Sequence, residues 1–334
     1  MNRSTNVIRF SMALGMTLFL SACRSPAVED QSHLLHEAQL MLRGNMPSSA
    51  LATYGVALDK DPSLVDAHMG MGAIYRNWEN PKLAQAAYRR ATLYSPNSFD
   101  AHYWYGRMTQ KLGDLTKTLK IYLRALEIDP NHAQTHRLVA NLYYDKQDIF
   151  HAIDHAKRVT DLTPKDAAAW HLLGVCYAQS GRYQEAIHAY NISARGNISE
   201  KLLVDWFTTY AKQEKHSQAV SVLNELCKRY PKAHYYQRTG FHYYELAREQ
   251  VALKHVQKAN DFFEKALERF KKTLTLDKEN IKGLNGVGYA SMNLYYATGQ
   301  IDQVLKRQAL DAWRMSLDIK KDQPKIQKMY RAFR

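Results

Sequence analysis

Ala167-Ala-Ala-Trp170-His-Leu-Leu-Gly174-Val-Cys-Tyr177-Ala-Gln-Ser-Gly181-Arg-Tyr183-Gln-Glu-Ala186 is the stretch on which the reading of the whole chain turns. Counting Ala167 as position one, bulky residues fall at 4, 7 and 11 (Trp170, Leu173, Tyr177) and again at 24 (Tyr190), with small ones at 8 (Gly174) and 20 (Ala186). Steps of three and four place the first set on one face of a helix. Gly181 supplies a residue able to take positive φ where that helix must stop. Stepping back by 34 residues repeats the pattern: Ala140, Gly106, Gly72 and Ala38 occupy position 8, and Ala156, Tyr122, Tyr88 and Tyr54 position 24. Position 32 is Pro164, Pro130, Pro96 and Pro62, each just past a helical run that proline cannot continue. Small residues at 8 and 20 let two antiparallel helices approach, and the aromatic rings fill the space beside them.

This pattern resembles the tetratricopeptide repeat (TPR), a 34-residue helix–turn–helix with large residues at 4, 7, 11 and 24 and small ones at 8, 20 and 27. The resemblance implies an all-α fold, a TPR α-solenoid in which helix pairs stack as a right-handed superhelix, each unit packing on its neighbours. Five regular units are expected over residues 31–200. Beyond Glu200 the register drifts. A sixth unit keeps Leu203, Phe207, Tyr210, Ala219 and Pro231, and a seventh starts near Ala233 with Tyr236, Gly240 and Tyr243. Its second helix returns only at Ala266 and Phe270, 14 residues late, and the stretch near 248–262 holds neither glycine nor proline. Both helices are therefore expected to be about two turns longer, forming a projecting hairpin. A degenerate eighth unit (Leu284, Gly288, Ala309, Trp313) and a capping helix over 325–334 complete residues 201–334.

The net charge of +14 is uneven: residues 1–200 hold 21 Lys and Arg against 18 Asp and Glu, and residues 201–334 hold 25 against 14. A basic surface suits nucleic acid or anionic lipid, and the N-terminus decides between them. Arg3 and Arg9 precede an apolar run of 13 residues, Phe10 to Ala22, shorter than the ~20 needed to span a bilayer. Residues 1–22 read as an export signal. The run ends Leu20-Ser21-Ala22-Cys23, which resembles the bacterial lipobox. That resemblance implies cleavage before Cys23, a diacylglyceryl group and palmitate on the cysteine, and stable anchoring by several acyl chains. Arg24, in place of aspartate, implies sorting to the bacterial outer membrane, facing the periplasm, with residues 23–30 as a lipidated tether. An exported chain does not meet the chromosome, so no nucleic-acid partner is expected.

Catalytic patterns are scarce. His33-Leu-Leu-His36-Glu37 lacks the order and third ligand of a zinc protease, and His151 with His155 makes only two ligands at i,i+4. Gly283, Gly286 and Gly288 sit inside a helical repeat rather than between strand and helix. We expect no enzyme, no cofactor and no metal. Cys176 and Cys227 read as buried free thiols in preference to a disulfide. His68, His102 and His136 share position 4 in three successive units; they either form a pH-responsive seam or fill the slot of Trp170, and the second reading is preferred.

In TPR proteins the first helices line a concave groove through positions 2, 5, 9, 12 and 13. The resemblance places Arg76, Asn77, Tyr103, Arg107, Lys111, Arg137, Asn141, Tyr144 and His171 there. Arginine, amide and aromatic side chains of this kind suit a protein partner presenting an extended peptide. Arg137 and Asn141 copy half of the family's carboxylate clamp, but Leu172 stands where its asparagine belongs, so a chaperone-type clamp is not expected. Lipid-anchored TPR proteins include pilotins of type IV pili, Flp pilus assembly lipoproteins and adaptors for peptidoglycan enzymes. Asp66-Ala67-His68 and Pro81-Lys82-Leu83-Ala84 with Tyr88-Arg89 are similar to the pilotin pattern. The expectation is a scaffold for assembly of an envelope machine, pilus or secretin biogenesis first. The alternative is an adaptor for peptidoglycan-processing enzymes that uses the basic C-terminal third.

Overall fold

Gly72, Gly106 and Gly174 show what sets the spacing of the helices. In the computed structural model, a Cβ added at each would lie 2.6, 2.5 and 2.5 Å from the ring of Tyr88, Tyr122 and Tyr190 respectively. Each glycine at position 8 is thus the seat of the aromatic ring at position 24 of its own repeat, and all three rings are fully buried. Burying such a ring contributes about 1.5–3 kcal/mol, so in these three repeats one glycine–tyrosine contact helps hold the hairpin shut.

The structure describes residues 26–334; the export signal and Cys23 lie outside them. Among the described residues there are seventeen α-helices and no strand. None of these helices is long and apolar enough to cross a membrane. The described residues divide into two compact units, one ending at Arg158 and the other beginning at Val159. The first contains α1 (Pro26–Arg43), α2 (Pro47–Lys60), α3 (Val65–Asn77), α4 (Pro81–Tyr94), α5 (Phe99–Lys111), α6 (Leu115–Ile128), α7 (Ala133–Asp145) and most of α8 (Ile149–Leu162). α1 opens at Pro26, inside the stretch read as a tether, because proline's fixed φ suits the first helical position. From α3 onward the helices alternate strictly between 13 and 14 residues, and capping explains their starts. Asn80, Ser98 and Asp114 accept from the backbone N–H three residues on, and His132 does the same through Nδ1 to the Thr135 amide.

The turn within each hairpin requires one residue with positive φ. It is Asn45, Glu79, Gly113, Gln147 and Gly181 in the five regular repeats, always position 15. At Met46, Asn80, Asp148 and Arg182 the next amide reaches back to the carbonyl five residues earlier, closing the turn. Glycine is present at only two of the five positions, so the turn is fixed by its hydrogen bonds as much as by residue type.

The second unit continues with α9 (Ala167–Gln179), α10 (Tyr183–Gly196), α11 (Glu200–Lys212) and α12 (His216–Arg229), again 13 and 14 residues in turn. Then α13 (Ala233–Ala252) runs 20 residues and α14 (Val256–Leu276) 21, seven extra in each. Phe270 here plays the part of the position-24 tyrosine: a Cβ on Gly240 would meet its ring at 2.8 Å. α15 (Ile281–Ala297) and α16 (Gln303–Ile319) follow, with Trp313 fully buried against Gly288. α17 (Pro324–Phe333) closes this end by burying Ile326 and packing Met329, Tyr330 and Phe333 onto the Trp313 cluster.

Candidate functional site

Arg76 lies in the last turn of α3 and Tyr103, Trp104 and Arg107 lie on α5, one repeat further along. The Arg76 guanidinium carbon sits 3.9 Å above the centre of the Trp104 indole, a cation–π contact of about 0.5–2 kcal/mol. Trp104 meets Tyr103 edge-on at 5.2 Å and stacks on buried Tyr88 at 6.2 Å. Arg107 donates from Nη1 to the Tyr103 hydroxyl at 3.1 Å. Tyr103 stacks on Phe99 at 5.8 Å and meets His132, the cap of α7, edge-on at 5.3 Å. Three successive first helices are thereby linked by one run of rings and guanidinium groups. Beneath it the Tyr122 hydroxyl donates to Gln110 Oε1 at 3.0 Å. Burial pushes that phenol well above its usual range, with Arg107 opposing, and burial raises Tyr88 against the opposing Arg76. Both phenols stay protonated at physiological pH.

Of the residues expected in the groove, Arg76, Tyr103 and Arg107 are brought together. Asn77, Lys111 and Asn141 are exposed; Arg137 and Tyr144 are half-buried. His171 belongs to the second unit, where its Nε2 lies 2.8 Å from Asp205 Oδ2, the residue one repeat later at the same position. Trp104, Phe99 and His132 were missed by the positional template. For Trp104 the signal was an aromatic at position 6, where the preceding repeat has Gly70 and the following one Leu138; Phe99 and His132, at the repeat's first and last positions, carried none.

The position-4 histidines do not form a seam. His68 and His136 are buried and donate from Nε2 to the carbonyls of Pro62 and Pro130, at 2.9 and 3.0 Å, and Trp170 Nε1 donates to Pro164 at 2.8 Å. The ring N–H thus latches onto the helix-stopping proline six residues earlier. His102 departs from this and bonds the Ser98 carbonyl through Nδ1 at 3.0 Å. Burial lowers the pKa of His68 and His136. The structure parts the His151–His155 pair: His151 bonds Asp148 at 2.8 Å, whereas half-buried His155 has its Nδ1 2.9 Å from Nδ1 of His136. Among the described residues no group of three or more His, Cys, Asp or Glu could hold a metal ion. Cys176 and Cys227 are buried free thiols, and burial lifts Cys176 to about 12, which makes it unreactive.

Comparison with known proteins bears on the fold. A tetratricopeptide repeat family model matches residues 74–133 and 140–197, and a second tetratricopeptide repeat model matches 208–233. The chain carries tetratricopeptide repeats and is an all-α TPR solenoid. A curated relative, superkiller protein 3 of Schizosaccharomyces pombe, is 40% identical over 84 residues, 23% of this chain and 6% of that protein. Among solved structures, Pseudomonas aeruginosa PilF is 18% identical over 64% of this chain and 98% of its own, with a TM-score of 0.49. PilW, a type IV pilus biogenesis factor, is 18% identical over 60% and 94%, TM-score 0.46. A tetratricopeptide repeat protein of Parabacteroides merdae is 16% identical over 86% and 99%, TM-score 0.49.

Proposed function

We propose that this array of tetratricopeptide repeats is a non-enzymatic scaffold that binds a protein partner through the Arg76–Trp104–Tyr103–Arg107 surface of its first unit. The observation that carries this reading is the density of arginine and aromatic side chains already fixed against one another. Rigid rings and guanidinium groups lose little side-chain entropy on binding, which is why such residues dominate interface hot spots. The Leu20-Ser21-Ala22-Cys23 sequence supports anchoring to the bacterial outer membrane through lipid on Cys23, facing the periplasm. Asp66-Ala67-His68 with Pro81-Lys82-Leu83-Ala84 and Tyr88-Arg89, similar to the pilotin pattern, supports pilus or secretin assembly as the machine served.

The test is affinity capture of the full chain from its own membranes. Arg76→Glu/Arg107→Glu should reduce recovery of the co-purifying partner by about tenfold or more, the scale of losing one hot spot, while the far-UV spectrum stays unchanged. Cys23→Ser should move the protein from the membrane to the soluble fraction. Full partner recovery by the arginine variant removes this surface from the function; a Cys23→Ser protein still embedded in the envelope removes the anchor.

A further inference from the structure

α14 and α16 are the second helices of the last two repeats, and between them lies a cavity of about 560 Å³, inside the ~300–1,000 Å³ range of sites that enclose a ligand. Leu284 and Val287 of α15 floor it, Leu274 of α14 lines one side, and Val304, Ala312 and Met315 of α16 line the other. Counted from Ile281 as position one, Leu284 and Val287 are positions 4 and 7, so no groove position of a first helix enters the lining. The site is separate from the groove. Its residues on α16 run from Val304 to Met315, a stripe of about 16 Å at ~1.5 Å per residue. Val304 is 74% and Met315 48% exposed, so the apolar lining continues to the mouth.

The lining selects the chemistry of the guest. Gln308 is its one uncharged polar side chain. An extended peptide would bring an N–H and a C=O per residue, each needing a partner once buried, and these walls offer almost none. A helix satisfies its own backbone but is ~10–12 Å across with its side chains. Sixteen ångströms of it take up more than ~1,200 Å³ on that diameter, about twice the space present. A hydrocarbon chain needs no hydrogen bonds. At roughly the ~30 Å³ that a water molecule takes up in the liquid, per methylene, the cavity holds one chain of about a dozen to eighteen carbons and not two.

The rim is cationic. Lys271, Lys278 and Arg307 stand on it, all three exposed. Asp311 is the one acid in the lining and lies 3.4 Å from Arg314, which leaves no carboxylate there to match the three cations. An apolar interior under a positive rim suits a tail of hydrocarbon with an anionic head. We propose that this cavity binds a single-chain anionic amphiphile of the fatty-acid class, its tail along the α16 stripe over Leu284 and Val287 and its carboxylate among Lys271, Lys278 and Arg307.

Isothermal titration of laurate into the full chain carrying Cys23→Ser, which can hold no acyl group at that position, tests this. One laurate should bind per chain. Decanoate and octanoate should each bind about tenfold more weakly than the next longer acid, the effect of leaving two methylenes unburied, and acetate and inorganic phosphate should not bind. Val304→Asn/Met315→Asn should weaken laurate by about tenfold. Lys271→Gln/Lys278→Gln/Arg307→Gln should weaken it severalfold, the scale of losing exposed ion pairs. All five side chains are exposed, so both variants keep their core. Arg238→Gln/Lys282→Gln/Lys325→Gln removes the same charge elsewhere in the second unit and should change nothing. Affinity independent of chain length, full binding by either lining variant, or equal loss in the control variant overturns the proposal. So does flotation with phosphatidylglycerol vesicles, lost in the rim variant, with no laurate bound.

Discussion

Lowering the pH from about 7 to about 4.5 will weaken the fold by several kcal/mol, and His155 and His242 will account for most of that loss. Each belongs to a pair of histidines facing one another through Nδ1: His155 with His136 at 2.9 Å in the first unit, and His242 with His216 at 2.8 Å in the second. In the first pair His136 uses Nε2 to donate to the Pro130 carbonyl, so in its neutral form its Nδ1 is the acceptor and His155 must donate. A second proton on His136 would put two N–H groups nose to nose. Burial is the main reason His155 is held down to about 4, with His136 next and Asp154 opposing. His242 is likewise held down to about 4 by burial, then by His216 and Arg238. Phe207 and Phe241 flank it edge-on, and Glu249 lies 3.8 Å from His216 Nε2 on the far side of the pair.

The sign follows from which state takes up protons. An unfolded histidine binds its proton near pH ~6.5, the folded ones only near 4. Between those values the unfolded chain holds more protons, so stability is full above pH ~6.5, falls as the pH drops toward ~4, and levels off below. A depression of this size corresponds to about 3 kcal/mol for a buried ring, and less for half-buried His155. Urea midpoints followed by circular dichroism should show this slope. His155→Asn/His242→Asn, which keeps an amide donor near the Nδ1 position, should flatten it by more than half. An unchanged slope in that variant would assign the acid sensitivity to the carboxylates instead.

These pairs mark the boundary of what can be read from residues alone. The repeat was legible because its determinants are local and periodic: Gly106 and Tyr122 lie 16 residues apart in one hairpin, and the prolines recur at a constant interval. Helix lengths follow from the same period. The template also named Arg76, Tyr103 and Arg107. It missed Trp104, since position 6 is small or aliphatic in the flanking repeats and only the three-dimensional neighbour, Arg76, gives the indole its role. The His136–His155 contact is invisible for a related reason. The 34-residue comparison aligns His136 with His68 and His102, whereas its true partner is 19 residues away on the next helix. The cavity of the second unit is built from α14, α15 and α16, all outside the regular register. Periodicity finds what every repeat shares, and a site built from one repeat's departures has no period to betray it.

Alanine at Gly106 and alanine at Gly55 will change stability in opposite directions, although both are helical glycines. At Gly55, in α2, an added Cβ meets nothing within 4 Å, so the substitution should add up to about 1 kcal/mol through helix propensity. At Gly106 the same atom would lie 2.5 Å from Cε1 and 2.7 Å from Cδ1 of Tyr122. That ring is fully buried and tethered through its hydroxyl to Gln110, so it has nowhere to go. Overpacking of this kind costs about 1–3 kcal/mol and outweighs the propensity gain of about 1, leaving a net loss of up to about 2. Tyr122→Ala alone removes the ring and should cost about 3–5 kcal/mol, the range for truncating a buried aromatic. The combination tests the cause. With the ring gone the Gly106→Ala methyl enters vacated space, so in that background the substitution should become neutral or stabilising, a coupling of about 2 kcal/mol between the two sites. Denaturant unfolding of the four proteins measures it. If Gly106→Ala destabilises as much without Tyr122 as with it, the glycine is not there to seat the ring. The constant spacing of position 8 and position 24 would then need another explanation.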